Sequence, residues 1–119
     1  MIEDIFWITA AKVKEGQFVN LKTLMNEMVA SAKANEPGTL NYEWFISDDG
    51  KYCHLYEHFK DSESAQNHMN SFVKNFAKRF MEALEIKNFN VYGSPSEELA
   101  KILVPSGAVL MKPLGGFKK

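Results

Sequence analysis

The first apolar segment of the chain predicts a strand that is hydrophobic on both faces. Asp4 to Val13 reads DIFWITAAKV, and its aromatic and β-branched residues favour a strand. Both alternating sets are largely apolar: Ile5, Trp7, Thr9 and Ala11 on one face, and Phe6, Ile8 and Ala10 on the other. A sheet with helices on one face only would leave one set polar. We therefore expect both faces of this strand to be covered.

Helical spacing begins after Gly16. Apolar residues recur every three or four positions between Gln17 and Ala34, which predicts an amphipathic helix with one buried side. The expected buried stripe consists of Phe18, Leu21, Leu24, Met25, Met28, Val29 and Ala32. Pro37 and Gly38 then end the helix, because a residue before proline resists the helical conformation and glycine completes a turn.

The next two segments, Thr39 to Ser47 and Lys51 to Phe59, predict an antiparallel hairpin closed by Asp48-Asp49-Gly50. With a three-residue loop, one face would carry Leu40, Tyr42, Trp44, Ile46, Tyr52, His54, Tyr56 and His58. The other face would carry Glu43, Phe45, Cys53, Leu55, Glu57 and Phe59. A two-residue Asp-Gly turn would instead shift the register by one residue.

A second helix is predicted after the hairpin, with Asp61 as its N-cap. Its apolar stripe would contain Ala65, His68, Met69, Phe72, Phe76 and Phe80. Helix propensity weakens near Asn75, which predicts a kink there. Since this helix must bury its stripe against the sheet, His68 is expected in the layer between helix and sheet.

The rest of the chain predicts one strand, one short helix and a tail. Leu84 to Tyr92 is the strand. Ser94 to Glu97 reads as a capping box that opens a short helix over 95–103. The tail, 105–119, could add one more extended segment. The chain is thus expected to form a single domain, 1–119, with its core over 4–93.

The element order β-α-β-β-α-β predicts an α+β fold of ferredoxin-like type, a four-stranded antiparallel sheet with both helices on one face. The uncovered face is too apolar to be left to water. Dimerisation through that face is the simplest way to cover it.

Composition excludes several classes of function. The chain has 119 residues and a formal net charge of −1, so it offers no strong field for nucleic acid or an anionic membrane. No segment reaches the ~20 apolar residues of a membrane span, and the N-terminus carries acids where a signal peptide carries bases. The single cysteine, Cys53, cannot close an internal disulfide. We expect a cytoplasmic protein without nucleic-acid or membrane partners.

Five short motifs, in order and spacing, resemble one family. They are KVKEG after the first strand, EPGTLNYEWF opening the second, YEHFKD closing the third, NHMNSF in the second helix and PLGGF near the C-terminus. From about Ile5 to Tyr92 the chain resembles the antibiotic biosynthesis monooxygenase (ABM) family of dimeric α/β-barrel proteins. The resemblance implies a homodimer whose two sheets form a barrel, with one cleft per subunit between sheet and helices.

The resemblance also bears on activity. Some members of the family oxygenate polyphenols or quinols with O2 and no cofactor, whereas others isomerise small sugars, cleave haem or have no established activity. His68 falls on the family's recurrent helix histidine, which faces the cleft. The positions of the haem-degrading branch read Thr9, His68 and Lys78, so its haem site is not reproduced. Phe59 stands where tryptophan is common in the family.

Each candidate residue has a structural alternative. His68 could serve as a general base at neutral pH, or simply be a buried structural histidine. The expected substrate-binding residues, which could equally be core, are Trp7, Thr9, Tyr42, Trp44, Phe59 and Phe72. His54 and His58 lack an evident third metal ligand. Glu43 and Glu57 would share one strand face, where pairing across strands or subunits is the simpler role.

The leading hypothesis is a cofactor-independent monooxygenase that acts with O2 on a small electron-rich aromatic molecule, such as a quinol or polyphenol. No flavin, nicotinamide, haem or metal pattern occurs in the sequence, so no cofactor is expected. The alternatives are a non-oxidative isomerase or lyase on a small metabolite, and a ligand-binding dimer without catalysis.

Overall fold

The computed structural model describes residues 4–119; Met1 to Glu3, which the predicted domain includes, lie outside the described residues. The strands are β1 (Ile5–Val13), β2 (Thr39–Ile46), β3 (Tyr52–Phe59), β4 (Leu84–Tyr92) and β5 (Val109–Met111). The helices are α1 (Phe18–Asn35), α2 (Ser62–Asn75), α3 (Ala77–Ala83) and α4 (Glu97–Leu103), and a 3-10 turn follows at Val104–Ser106. No helix within residues 4–119 is both long and apolar enough to span a membrane.

The strands form one sheet in the order β2-β3-β1-β4-β5. The first four are antiparallel to their neighbours, as the ferredoxin-like arrangement requires, and α1 and α2 pack on the same face. The α+β fold predicted from the element order is therefore confirmed. The tail adds β5, which lies parallel to β4 at the sheet edge.

The predicted hairpin register is wrong by one residue. Tyr42 lies opposite Glu57 and Trp44 lies opposite Leu55, so they share a face with Glu57 rather than with the histidines of β3. The reason is the loop: Ser47 and Tyr52 form the last bonded pair and enclose four residues, which has the same parity as a two-residue turn. We call the helix-covered side of the sheet the inner face and the opposite side the outer face.

The predicted capping and kink of the second helix are both confirmed. The Asp61 side chain accepts a hydrogen bond from the Ser64 backbone N–H at 2.8 Å and begins α2. At Phe76 the backbone leaves the helical region, with φ at −132°, and α3 starts one residue later. This break divides the predicted second helix into α2 and α3.

The short C-terminal helix begins two residues later than the predicted capping box implies. Ser96, not Ser94, is its N-cap, and the Ser96 hydroxyl accepts a hydrogen bond from the Leu99 backbone N–H. The Ser96 backbone N–H itself donates to the Ser62 hydroxyl at the start of α2. That hydrogen bond holds Ser96 outside the helix, where an N-cap must lie.

Two apolar clusters lie on the inner face. One packs α1 against the end of β1 and the starts of β3 and β4, with Leu21, Leu24, Met28, Leu55, Phe80 and Leu84. The other packs α2 and α4 against the start of β1 and the ends of β3 and β4, with Ile5, Trp7, Phe59, Val91, Leu99 and Leu103. Phe72 contacts both clusters, and the cavity described below lies between them.

The outer face is aromatic, and no helix within residues 4–119 covers it. Phe6 stacks on Tyr92 with ring centres 4.8 Å apart and lies 5.8 Å from Tyr56. Phe45 and Tyr52 are about half exposed on the same face. Such a patch is typical of a protein interface, and the dimeric barrel that it predicts is taken up below.

Candidate functional site

A cavity of about 280 Å³ lies between the inner face and helices α2 and α3. Its walls are largely apolar, formed by Met28, Leu55, Met69, Phe72, Val73, Phe80, Met81, Ile86 and Phe89. Its polar side chains are Trp7 and Thr9 of β1, Glu57 of β3, His68 of α2 and Ser106 beyond α4. An apolar cavity with a few converging polar groups is the usual form of a small-molecule site.

Glu57 is the unexpected polar group in this layer. Strand alternation directs its side chain to the inner face, between those of Leu55 and Phe59, and only 5% of it is exposed. Its partner across the ladder is Trp7, whose indole N–H donates a hydrogen bond to Glu57 Oε2. A buried carboxylate is tolerated only when it is hydrogen-bonded and paired with a charge, so a cation is required nearby.

His68 supplies that cation. It lies on the buried side of α2, and its Nε2 forms an ion pair with Glu57 Oε1 at 2.8 Å. Its Nδ1 donates to Glu36 Oε1 at 2.7 Å, across 32 residues of sequence. The imidazole is surrounded by aromatic rings, with ring centres 5.1 Å from Phe59 and 5.4 Å from Tyr42.

Glu36 reaches His68 because it ends α1. As the C-cap residue, it lies where the chain turns toward β2, and its Oε1 also accepts a hydrogen bond from the Thr39 hydroxyl at 2.9 Å. The turn packs closely on α2: a Cβ at Gly38 would lie 2.4 Å from the Cβ of Ser64, so only glycine fits there. This close contact fixes Glu36 against the histidine.

The three side chains form a charged cluster, which we call the buried triad (Glu36, His68 and Glu57). Burial alone would lower the pKa of His68, but the charge of Glu57 and the hydrogen bonds to both carboxylates outweigh it and raise the pKa to about 10. Burial would raise the pKa of Glu36, yet the hydrogen bond and charge of His68 lower it overall. One imidazolium between two carboxylates leaves the buried triad with one net negative charge.

The predicted site residues separate into two groups. His68, Trp7, Thr9 and Phe72 converge on the cavity. Tyr42 instead lines a narrow hollow on the Glu36 side of His68. Phe59 is fully buried against Trp7.

Trp44 belongs to the second group as well, since it packs edge-on against Phe80 rather than lining the cavity. Its indole N–H and the Tyr42 hydroxyl are buried without a hydrogen-bond partner among the described residues. Burial, with the charge of Glu57 adding to it, raises the pKa of the Tyr42 hydroxyl far above its usual range. Tyr42 is therefore a neutral neighbour of the buried triad.

Sequence reasoning missed Glu36 and misassigned Glu57. The predicted pairing of Glu43 with Glu57 on one face is wrong, because Glu43 lies opposite Tyr56 on the outer face. A signal was present: Glu57 alternates with Leu55 and Phe59, which are obvious core residues, so an acid at that position had to be buried. Nothing local marks Glu36, whose role depends on a helix that comes later in the chain.

The other candidate groups lie outside this site. His54 and His58 point to the outer face, where His58 Nε2 lies 2.8 Å from Asp4 Oδ2. Within residues 4–119, no three histidine, cysteine or acidic side chains converge as metal ligands. Burial raises the pKa of the Cys53 thiol to about 11, which suits a core residue rather than a nucleophile.

Comparison with solved structures identifies the same fold elsewhere. MupZ from Pseudomonas fluorescens superimposes with a TM-score of 0.81 at 18% identity, over 98% of this chain and 95% of that one. Rv0793 from Mycobacterium tuberculosis gives 0.66 at 20% identity, over 79% and 97%. SnoaB from Streptomyces nogalater, a cofactor-independent oxygenase, gives 0.65 at 10% identity, over 79% and 95%.

At these identities the solved structures establish the fold alone. No curated protein matches the chain. The family model for antibiotic biosynthesis monooxygenase matches residues 5–84, which include strands β1 to β3, the first residue of β4, helices α1 to α3 and the whole buried triad. The chain therefore belongs to the antibiotic biosynthesis monooxygenase family.

Proposed function

We propose that this protein is a cofactor-independent monooxygenase that acts on a small aromatic molecule bearing a hydroxyl group, such as a quinol or polyphenol. The observation that carries the proposal is Glu57, a buried carboxylate at the floor of an apolar cavity. Family membership and the fold shared with SnoaB, a cofactor-independent oxygenase, support the reaction class. The cavity, about 280 Å³, suits a small ligand, since typical sites hold ~300–1,000 Å³.

The first chemical step would be removal of the hydroxyl proton. Both ring nitrogens of the charged His68 carry a proton and face carboxylate oxygens, so His68 has no free lone pair for a substrate. Each oxygen of Glu57 has one such contact, from Trp7 or from His68, and keeps a second lone pair. In this proposal Glu57 accepts the proton, and His68, which sequence reasoning favoured as the base, holds Glu57 in place and stabilises its charge.

Charge balance favours this assignment. Before the transfer the buried triad has one net negative charge and the substrate is neutral. At the moment of transfer the buried triad becomes neutral as the substrate becomes an anion, so the two do not repel each other while the O–H bond breaks. In a cavity of low dielectric this matters, because two like charges at contact would cost several kcal/mol or more even at an effective dielectric constant of ~20.

The second stage would use O2 directly. The substrate anion gives one electron to O2, and the resulting radical pair joins at a ring carbon to form a peroxide anion. The peroxide takes one proton back from the buried triad. Cleavage of its O–O bond and of the C–H bond at the same carbon then releases one water and leaves a carbonyl there. One O2 thus supplies one oxygen atom to the product and one to water, and no external reductant is consumed. The apolar walls would favour this stage by excluding water.

We also propose that the protein is a homodimer joined through the outer face. Support comes from the aromatic patch around Phe6 and from Phe45 and Tyr52, which are half exposed there. A stable interface should bury at least ~1,000 Å² in total with an apolar centre. The barrel would then enclose the outer face, while each cavity stays within its own subunit.

The decisive experiment is oxygen uptake with a panel of quinols and polyphenols. We expect turnover with at least one of them, and Glu57→Gln should reduce the rate by ~10²-fold or more, since it removes the proton acceptor. Glu27→Gln is the matched control, because Glu27 is exposed and pairs with Arg79 on the surface. Oxygen uptake that is unchanged in Glu57→Gln would overturn the assignment of the base.

The non-oxidative alternative has a distinct signature. If ligands bind and exchange a carbon-bound proton with solvent at a rate that depends on Glu57, yet no O2 is consumed, the protein is an isomerase or lyase. If ligands bind without exchange or oxygen uptake, it is a binding protein. Either result would refute the monooxygenase proposal.

A further inference from the structure

The proposed reaction uses Glu57 and His68 but gives no role to Glu36. Glu36 does not line the cavity. It lies on the opposite side of His68, and its side chain is 10% exposed. There it lines a hollow on the protein surface together with Pro37, Gly38, Lys60, Asp61, Glu63 and Ser64. Glu36 thus has one end in the buried triad and the other near solvent.

A continuous row of short polar contacts connects the cavity to this hollow. It starts at Glu57, which faces the ligand space, and runs through Nε2 and Nδ1 of His68 to Oε1 of Glu36. Both contacts are short, 2.8 and 2.7 Å. The Thr39 hydroxyl donates to the same Glu36 oxygen at 2.9 Å, which orients the carboxylate toward the histidine.

We propose that Glu36 is the solvent end of a proton path that starts at Glu57, so that a proton taken from a ligand leaves and returns through the surface hollow while the ligand fills the cavity. This inference rests on the proposed function in one respect, that Glu57 is the group that accepts the proton. It adds a role for a residue outside the cavity.

The protons balance in this path. The ligand O–H bond breaks, its electron pair stays on the ligand oxygen, and the proton goes to Glu57. Glu57 is then neutral and no longer stabilises the imidazolium, so His68 holds its Nδ1 proton less tightly. That proton passes to Glu36 and from there to water in the hollow. One proton leaves for each ligand anion formed, and the reverse sequence returns it. The negative charge that remains lies on Glu36, on the far side of His68 from the ligand.

Neutralising the imidazolium does not by itself require a second carboxylate. A single Glu57–His68 pair would already be neutral, and adding Glu36 places a second negative charge beside them. A carboxylate at the surface end of the row can exchange its proton with water directly, which a buried imidazole cannot do. The position of Glu36 at the end of α1 is therefore best explained by proton exchange.

The test follows proton release directly. The protein is mixed rapidly with 4-nitrophenol, whose anion is coloured, in weakly buffered solution containing a pH indicator. In the unmodified protein we expect one proton in solution for each anion formed in the site, at the same rate. Glu36→Gln keeps the shape of the side chain but cannot carry the proton, so its release should slow by about 10-fold or more.

Two further variants separate a path from a structural effect. Glu36→Ala should also be slow, but added formate, which can enter the vacated hollow, should restore release. Glu63→Gln removes the same charge from the same hollow without touching His68 and should behave like the unmodified protein. Release at the normal rate in Glu36→Gln, or failure of formate to restore it in Glu36→Ala, would overturn the proposal.

Failure of the proposed function would look different. If the unmodified protein forms no bound anion, Glu57 is not the acceptor, and the path is then measured without a ligand. Exchange of the His68 Nδ1 proton with solvent, followed by NMR, should be slower in Glu36→Gln than in the unmodified protein. Equal exchange rates would overturn the path independently of any activity.

Discussion

Trp7 and Glu57 lie directly opposite each other on β1 and β3, and the indole N–H of Trp7 donates to Oε2 of Glu57. This pair places a carboxylate and its donor at the floor of an otherwise apolar cavity. The other oxygen of Glu57 forms an ion pair with the imidazole of His68. Strand register therefore fixes one side of the carboxylate, and helix packing fixes the other.

The first prediction concerns the donor of this pair. Trp7→Phe keeps an aromatic ring in the core but removes the indole N–H, so Glu57 loses one buried hydrogen bond. We expect a loss of about 1–3 kcal/mol in the free energy of unfolding, from the unsatisfied acceptor, and weaker turnover in oxygen uptake. Trp44→Phe is the matched control, because the indole N–H of Trp44 has no partner among the described residues. Equal losses in the two variants would show that ring volume, not the hydrogen bond, matters.

The second prediction concerns the cation. His68→Ala leaves Glu36 and Glu57 buried without a positive charge between them. Breaking a buried ion pair from one side typically costs about 3–5 kcal/mol, so we expect a large drop in melting temperature at neutral pH. The loss should shrink as the pH is lowered and the carboxylates become protonated.

The rate of the folded fraction of His68→Ala, measured in a single turnover, tests the second half of this prediction. It should fall as well, because Glu57 is no longer held. A variant that melts like the unmodified protein would contradict the buried triad. A variant that is unstable but reacts at full rate would limit His68 to a structural role.

The third prediction is the dependence of stability on pH. The pKa of His68 is raised from 6.5 to about 10 in the folded state, so its contribution is fully present below pH 6.5 and is lost as the pH rises toward 10. In that window the folded protein holds one extra proton, and the free energy of unfolding should fall by about 1.4 kcal/mol per pH unit. The pKa of Glu36 is lowered from 4.5, so its contribution is lost on acidification below that value.

Chemical denaturation across this pH range measures the slope. Maximum stability is expected between the two windows, in weakly acidic to neutral solution. A free energy of unfolding that stays constant between pH 7 and 10 would show that His68 is not charged in the folded protein. In His68→Gln the free energy of unfolding should not fall over this alkaline range.

The fourth prediction concerns the tail. The apolar residues of 107–117 predict that the tail packs on the body or on a partner subunit, since a solvated tail has no use for them. Leu110 packs on the apolar cluster that contains Leu99 and Leu103, whereas Leu114 and Phe117 are almost fully exposed. If they pack at all, a second copy of the chain must cover them.

Leu114→Ser combined with Phe117→Ser should therefore weaken the proposed dimer without lowering the stability of the monomer, because β5 and its pairing with β4 are retained. Sedimentation equilibrium measures the association, and Lys119→Ser is the control. A monomeric unmodified protein at micromolar concentration would refute the dimer itself. Equal association of the double variant would refute only the role of the tail.

The sequence by itself determined which elements form and where most of them begin and end. The periodicity of 17–34 and the Asp61 cap predicted α1 and α2. Low helix propensity near Asn75 predicted the break before α3. These features depend on neighbours in the chain, through capping, turns and side-chain spacing, so they can be read locally. The same holds for His68 on the buried side of its helix.

Tertiary structure decided the hairpin register and the buried triad. Period-two alternation can assign a face only when one set is polar, and here apolar residues occupy both faces of β2 and β3. A loop of four residues rather than three then exchanged the faces of one strand relative to the other. Glu36, His68 and Glu57 come from a helix end, a helix side and a strand. They meet only because the packing of α1 and α2 brings these places together, and no local pattern encodes that packing.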